Sequence, residues 1–337
     1  MFSVKELVDS GCLKTVPSSY AYQSKPDDRI SFDKEIIPII DYSLLTSGSP
    51  DQRSKIIQDL GHACRDWGFF MVINHGIPEK VRDEMIRYID GFFNLTEKEK
   101  QEYAGKELFD PIRYSTSFNV TVDKALLWRD CLKVLVHPHF VSPRKPDGFS
   151  EILEDYCKRT RELANELLKG ISKSLGLEEN YISKKMNVEM GTQMLVANFY
   201  PPCPQPEIAM GLPPHSDYGL LTLLIQNELT GLQVMHNGKW VPINPLPDSI
   251  LINTGDHMEI LTNGKYKSVL HRAVVNNKGT RISVGTAHGP PLDGIVTPAP
   301  ELTQASAAYR GITFRDYIEL QQTSQLIGKT CLDHVRI

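Results

Sequence analysis

The sequence predicts a mainly β protein with helices added: a jelly-roll core buttressed by N-terminal and C-terminal helices. Three observations point there. After residue 185, short β-type runs recur every 8–15 residues with turn residues between them. Before it, apolar residues recur at helical spacing in long stretches. A hydrophobic fraction of 41% over 337 residues is ordinary for a soluble protein and ample for a sizeable core.

Residues 1–35 form a polar N-terminal arm, with a short helix expected at 3–10 and a loosely held stretch ending in Ser24-Lys25-Pro26-Asp27-Asp28-Arg29. Residues 36–145 form an α/β region. Ile36 to Asp41 reads as a strand, and Pro38 places it at a strand start or an edge. Asp51 to Trp67 has helical spacing, with Ile56, Leu60, Ala63, Cys64 and Trp67 on one stripe. Gly68 to Ile73 is a strand closed by Asn74-His75-Gly76. Pro78 to Phe93 is helical, with Val81, Met85, Ile89 and Phe92 facing inward. Thr96-Glu97-Lys98-Glu99 reads as a capping box opening another helix. Residues 146–185 hold a long supporting helix over 149–175, marked by Ile152, Tyr156, Leu163, Leu167, Leu168 and Ile171. Residues 186–295 are the jelly-roll core, with strands at 193–200, 220–226, 232–236, 239–243, 249–253, 268–275 and 281–287. Asn237-Gly238 is a hairpin signal inside it. Residues 296–337 are a C-terminal helical segment, helical near 313–326.

Composition excludes several function classes. Lys plus Arg total 37 against 41 Asp plus Glu, so no basic field exists for nucleic acid. No apolar stretch is long enough for a membrane-spanning helix. The N-terminus mixes charged and apolar residues, unlike an export signal. Six cysteines without a Cys-x-x-Cys pair fit a reducing compartment. The expectation is a cytoplasmic monomer acting on a small molecule.

Pro214-His215-Ser216-Asp217 carries the first chemical signal. On extended backbone, residues i and i+2 point to one side, so His215 and Asp217 can grip one ion. His271, on a later strand, supplies a third ligand. Two imidazoles and a carboxylate on one face suit Fe(II) and leave positions open for oxygen. His257 follows Thr254-Gly255-Asp256, where Asp256 resembles an N-cap, and is read as structural; so are His137 and His139, which lack a nearby acid. Arg281-Ile282-Ser283 places a guanidinium fork and a hydroxyl on one face, and Asn198-Phe199-Tyr200 does the same with an amide and a phenol. Together they can hold a dicarboxylate whose other end chelates the metal.

These segments resemble the plant 2-oxoglutarate- and Fe(II)-dependent dioxygenases. The likeness runs from Ile37-Pro38-Ile39-Ile40-Asp41 through Trp67-Gly68-Phe69-Phe70-Met71-Val72-Ile73-Asn74-His75-Gly76, Trp128-Arg129-Asp130 and Asn198-Phe199-Tyr200-Pro201-Pro202-Cys203-Pro204 to Arg281-Ile282-Ser283. It implies a double-stranded β-helix core. It implies that His215, Asp217 and His271 hold iron, and that Arg281, Ser283, Tyr200 and Asn198 form the 2-oxoglutarate pocket. His75 belongs to the fold signature. Tyr114-Ser115-Thr116-Ser117-Phe118-Asn119-Val120 looks like the salicylate-hydroxylating and flavone-forming branch. Ala287 stands where anthocyanidin-type enzymes carry a stacking aromatic.

The implied cofactors are Fe(II), 2-oxoglutarate and O2, with ascorbate as reductant. The implied reaction is oxidation, foremost hydroxylation, of a small aromatic or alicyclic metabolite or hormone-like molecule, releasing succinate and CO2. Tyr114, Phe118, Lys133, Met194, His288 and Phe314 are the expected substrate contacts. Two readings compete: an oxidase of the same fold that does not use 2-oxoglutarate, and a jelly-roll binding protein without a working metal. A hydrolytic zinc enzyme would need a general base beside the metal, and none is placed for it.

Overall fold

In the computed structural model, described for residues 3–11, 13–22, 30–31, 35–118, 124–244, 246–303, 306–323 and 328–337, the chain first lays a short helix against the sheet that follows. Helix α1 (Val4–Asp9) opens with a reciprocal capping box between Ser3 and Glu6. The Val4 and Lys5 amides donate to the buried Asp130 carboxylate at 2.9 Å each, which docks the arm. The loose stretch at 24–29, the pair Asn119 and Val120, and residues 324–326 of the expected last helix lie outside the described residues.

Strand β1 (Ile39–Asp41) is an edge strand parallel to a later one, as Pro38 allows. Helices α2 (Tyr42–Ser47) and α3 (Pro50–His62) follow. The expected 51–67 helix ends early: Ala63–Trp67 widens into a π-helical turn that Gly68 stops at φ 63°. A Cβ on Gly68 would sit 2.5 Å from the Lys267 carbonyl oxygen, so both backbone and space demand glycine. The chain continues through β2 (Phe69–Ile73), α4 (Glu79–Phe93) and α5 (Glu97–Gln101), the last capped by Thr96 and Glu99. Then come β3 (Ile112–Thr116), β4 (Asp130–His137), α6 (Phe149–Ser174), α7 (Tyr181–Lys185), β5 (Thr192–Tyr200), β6 (Leu212–His215), β7 (Leu221–Gln226), β8 (Leu232–His236), β9 (Lys239–Pro242) and β10 (Ile250–Thr254). Helix α8 (Asp256–Leu261), β11 (His271–Ala273), β12 (Arg281–Gly289), α9 (Phe314–Thr323) and α10 (Thr330–Val335) complete it.

The strands form a jelly roll from two facing sheets. The larger has the order β1-β2-β10-β7-β12-β5-β4-β3, the smaller β6-β11-β8-β9. Its outer face is covered by α3, α4 and α6. Leu60, Met85, Phe92, Leu153 and Leu167 pack there on Val134, Leu195, Ala197, Leu223 and Val284. Between the sheets, Phe69, Met71 and Leu251 meet Leu232, Val234 and Val241. The functional cavity opens beside this second cluster.

Within these two sheets, three strands go beyond the sequence expectation, β3, β4 and β6; a separate two-stranded ribbon pairs Ile295–Val296 with Ile312–Thr313. The expected 268–275 strand pairs only over His271–Ala273. Asn237 and Gly238 make the β8–β9 hairpin with φ values of 48° and 75°. Asp256 is not a cap: Gly255 holds that position and Asp256 is the first helical residue. Its carboxylate accepts instead from Ser216 at 3.0 Å and Tyr317 at 2.7 Å.

Candidate active site

β6 and β11 lie side by side in the smaller sheet, with His271 directly opposite His215. Their ring centroids are 4.2 Å apart. Asp217 follows just past the end of β6. Its Oδ1 lies 3.8 Å from His215 Nε2 and 3.5 Å from His271 Nε2. One ligand atom from each of the three residues falls within 4.8 Å of the others, so they can share one ion. Each ring is fixed from behind. His215 Nδ1–H donates to the Pro213 carbonyl at 2.8 Å and His271 Nδ1–H to the Val269 carbonyl at 3.2 Å. Both Nε2 lone pairs are thereby left for the metal. Asn253 on β10 donates to Asp217 Oδ2 at 2.8 Å.

The electrostatics keep this set ready to bind. Burial, helped by His271, pushes the His215 pKa down to about 3, so the imidazole is a neutral ligand at pH 7. Burial raises the Asp217 carboxyl, but His271, His215 and the Asn253 amide outweigh it and hold the group ionised.

Across the cavity, β12 and β5 pair so that Arg281 faces Tyr200 and Ser283 faces Asn198. The Arg281 guanidinium carbon lies 5.1 Å from the Tyr200 ring centre, and Nη2 donates to Gln226 at 2.7 Å. Its Nε has no partner, and the residue is only 2% exposed. No carboxylate forms an ion pair with it among the described residues. The Asn198 carbonyl accepts from Arg129 at 2.6 Å.

A cavity of about 140 Å³ joins the two halves and is lined by the triad, Arg281, Ser283, Asn198 and Tyr200. Two of the six expected substrate contacts, Phe118 and Lys133, line it as well. The other four do not line it. Tyr114 points to the opposite face of its strand, where it packs near Phe92 and Phe93 and donates to Glu97. His288 is one residue out of phase with Arg281, Ser283, Gly285 and Ala287, so it shares the helix-covered face with Ile282 and Val284. Met194 and Phe314 sit one layer back, in a small separate space behind Tyr218 and Ala287. His257 is structural: its Nδ1–H donates to the Tyr218 carbonyl, and its ring packs on Phe314 and Tyr317. His137 is held by Arg161 and the Glu189 carbonyl, and His75 bridges Ile77 and Asp248.

Several lining residues escape the sequence reading: Arg129, Tyr218, Asn253, Gln321 and Gln322. Arg129 and Tyr218 lie just outside strands, and their adjacency to motif residues is the sequence signal for them. The two glutamines arrive on α9 from the far end of the chain, with no local signal.

The donor set suits Fe(II), and the unpaired Arg281 Nε suits a carboxylate end of 2-oxoglutarate. Oxygen chemistry at a single iron asks for three protein donors on one side and open room on the other. This barrel supplies both, which makes the protein a non-haem Fe(II) oxygenase by class.

Comparison with known proteins narrows the class. The family model described as the 2OG-Fe(II) oxygenase superfamily matches residues 191–290. The model described as non-haem dioxygenase in morphine synthesis N-terminal matches residues 37–152. The 2-oxoglutarate-dependent dioxygenase 19 of Oryza sativa subsp. japonica is 47% identical, over 89% of this chain and 90% of that protein. Protein DMR6-LIKE OXYGENASE 2 of Arabidopsis thaliana is 38% identical, over 94% and 93%. The crystal structure of JOX2 in complex with 2OG, Fe and JA superposes with a TM-score of 0.89 at 29% identity, covering 100% of this chain and 98% of that one. The chain belongs to the 2OG-Fe(II) oxygenase superfamily. It is an oxidoreductase that uses Fe(II), 2-oxoglutarate and O2.

Proposed function

We propose that this enzyme hydroxylates a small aromatic or alicyclic metabolite or hormone-like molecule, converting 2-oxoglutarate and O2 to succinate and CO2 as one oxygen atom enters the substrate. His215, Asp217 and His271 are the iron ligands in this reading. Arg281, Ser283 and Tyr200 hold the distal carboxylate of 2-oxoglutarate, and Asn198 lines the same pocket. The observation that carries it is the meeting of the three ligand atoms within 4.8 Å at one end of a cavity whose other end is the Arg281 guanidinium, its Nε without a partner.

Bound Fe(II) together with 2-oxoglutarate supplies the activation of O2 that oxidises an unactivated C–H bond. This chain's own residues do the rest. Arg281 neutralises a carboxylate in a dry pocket, where pairing is stronger than in water. Asn198, braced by Arg129, and Ser283 fix the orientation of the cosubstrate. Phe118, Val196, Tyr218, Leu224 and Ala287 give the substrate a mostly apolar wall and keep out water. The same reading makes the enzyme a monomer without nucleic-acid partners. It places the protein in the cytoplasm, which its buried, unpaired Cys64, Cys131, Cys157, Cys203 and Cys331 support.

The test is a metabolite screen with purified protein, Fe(II), ascorbate and 2-oxoglutarate. Succinate should form in step with a product one oxygen heavier than its substrate. His215→Ala and Asp217→Ala should lose iron and turnover together. Retained oxidation in either variant would reject the triad, and substrate oxidation without succinate would favour a same-fold oxidase.

A further inference from the structure

Lys133 is a half-buried lysine at a place where the functional reading so far needs no basic group. It sits on β4, and its side chain enters the cavity beside the Phe118 ring, 5.5 Å from the ring centre. Its Nζ donates to the neutral Gln322 side chain at 2.8 Å. No carboxylate pairs with it among the described residues. The residue directly opposite on β3 is Arg113, a second cation on the same face. Like charges facing across a strand pair destabilise a sheet. Arg113 has no ion pair among the described residues either, and nearby Asp110 is engaged by the Lys106 and Glu107 amides. Burial, with Arg113 and Arg129 adding repulsion, pushes the Lys133 pKa down to about 7.

The strand register shows that this charge does not belong to the 2-oxoglutarate end. Lys133 is level with Val196 on β5, which is level with Gly285 on β12. Gly285 is four residues along β12 from Arg281, about 13 Å at ordinary strand rise, and Lys133 is two strands further aside. Lys133 and Arg281 have neutral side-chain acceptors, Gln322 and Gln226. Arg129 is held by Asn198 and the Ser117 carbonyl, and Arg272 by Gln233. A molecule with its negative end on Lys133 would lay its body over Val196 and Gly285, under Phe118 and toward the triad.

We propose that Lys133 is the specificity-determining anchor of the active site, and that the substrate is a small ring-bearing carboxylate whose anionic group binds there. The proposal rests on the functional reading above and names the substrate class of that same site. Gln322, from α9, orients the ammonium, and Arg113 adds positive potential behind it. A neutral ester of the same skeleton leaves the ammonium without its counter-charge, so it binds more weakly.

The test uses the full chain loaded with Fe(II) and 2-oxoglutarate under argon. It is titrated calorimetrically with benzoate, phenylacetate, cyclohexanecarboxylate and cyclopentylacetate, and with the methyl ester of each. At least one acid should bind tenfold or more tightly than its ester. Lys133→Met should abolish that preference and Lys133→Arg should keep it. A wild type that prefers no acid over its ester, including one that binds none of the acids, overturns the proposal. So does a Lys133→Met variant that retains the preference. The wild-type comparison decides the matter even if the methionine variant fails to fold. Aerobic succinate release by the same preparation reports on the functional reading separately. Succinate without acid preference removes the anchor and leaves the oxygenase standing.

Discussion

A guanidinium is expensive to bury without a counter-charge, and Arg281 is buried with a neutral glutamine and an aromatic face for company. Arg281→Lys keeps the charge and loses the planar fork. The KM for 2-oxoglutarate should rise about 10- to 100-fold, the worth of one or two hydrogen bonds to a charged group, with kcat less affected. Succinate release followed against cosubstrate concentration checks this, and an unchanged KM removes Arg281 from the pocket. His75 tests a different property. Its Nδ1 accepts from the Ile77 amide and its Nε2–H donates to the Asp248 carbonyl, so the fold needs the neutral ring. Burial, aided by Arg82, lowers its pKa from 6.5 to about 4. The unfolded chain therefore takes up a proton that the folded one refuses between those values, and stability falls as pH drops through that window. His75→Asn keeps an acceptor for Ile77 without titrating, and its melting temperature should fall less between pH 7 and pH 5 than the wild type's. Equal slopes would clear His75 of the effect. The residues legible in the sequence were those whose partners follow from strand phase: 215 with 217, 281 with 283, 198 with 200. The same rule excludes His288, which adjacency to Ala287 had suggested.

Helix α1 has six residues, too few to persist alone, and it depends on what it touches. Asp130 accepts from the Val4 and Lys5 amides and from the Thr116 hydroxyl, so one buried carboxylate ties the arm to two strands. Asp130→Asn sets an NH2 group against these donors. It should cost about 1–3 kcal/mol, read as a lower denaturant midpoint, and an unmoved midpoint would show the arm to be held by its apolar contacts alone. Most elements were legible from apolar period, caps and hairpin residues. β6 was not, because Pro213 and Pro214 erase any local strand preference; it survives as an edge strand of the smaller sheet. β3 is a five-residue edge strand with Tyr114 buried and Ser115 exposed, an alternation too short to stand out in the sequence.

Ligands that bind only the folded state raise its stability by mass action. Fe(II) and 2-oxoglutarate added together under argon should raise the melting temperature by a few degrees, and a chelator should reverse the gain. No shift would mean that the triad and Arg281 do not cooperate in the intact fold. At this scale the sequence revealed the barrel, because its strand spacing and turns are local. It did not reveal that α9 returns to line the cavity with Gln321 and Gln322, since contact between distant segments leaves no periodic trace. Gly285 carries a last consequence. It lies mid-floor in the cavity, yet a Cβ there would meet Thr222 and Leu224 only at 3.5 and 3.6 Å, ordinary contact distances. A methyl group can therefore be introduced by a single change to alanine without disturbing the barrel, while reshaping the surface on which a guest molecule rests. Diversification of this enzyme toward new chemistry has an inexpensive starting point in that one unfilled position.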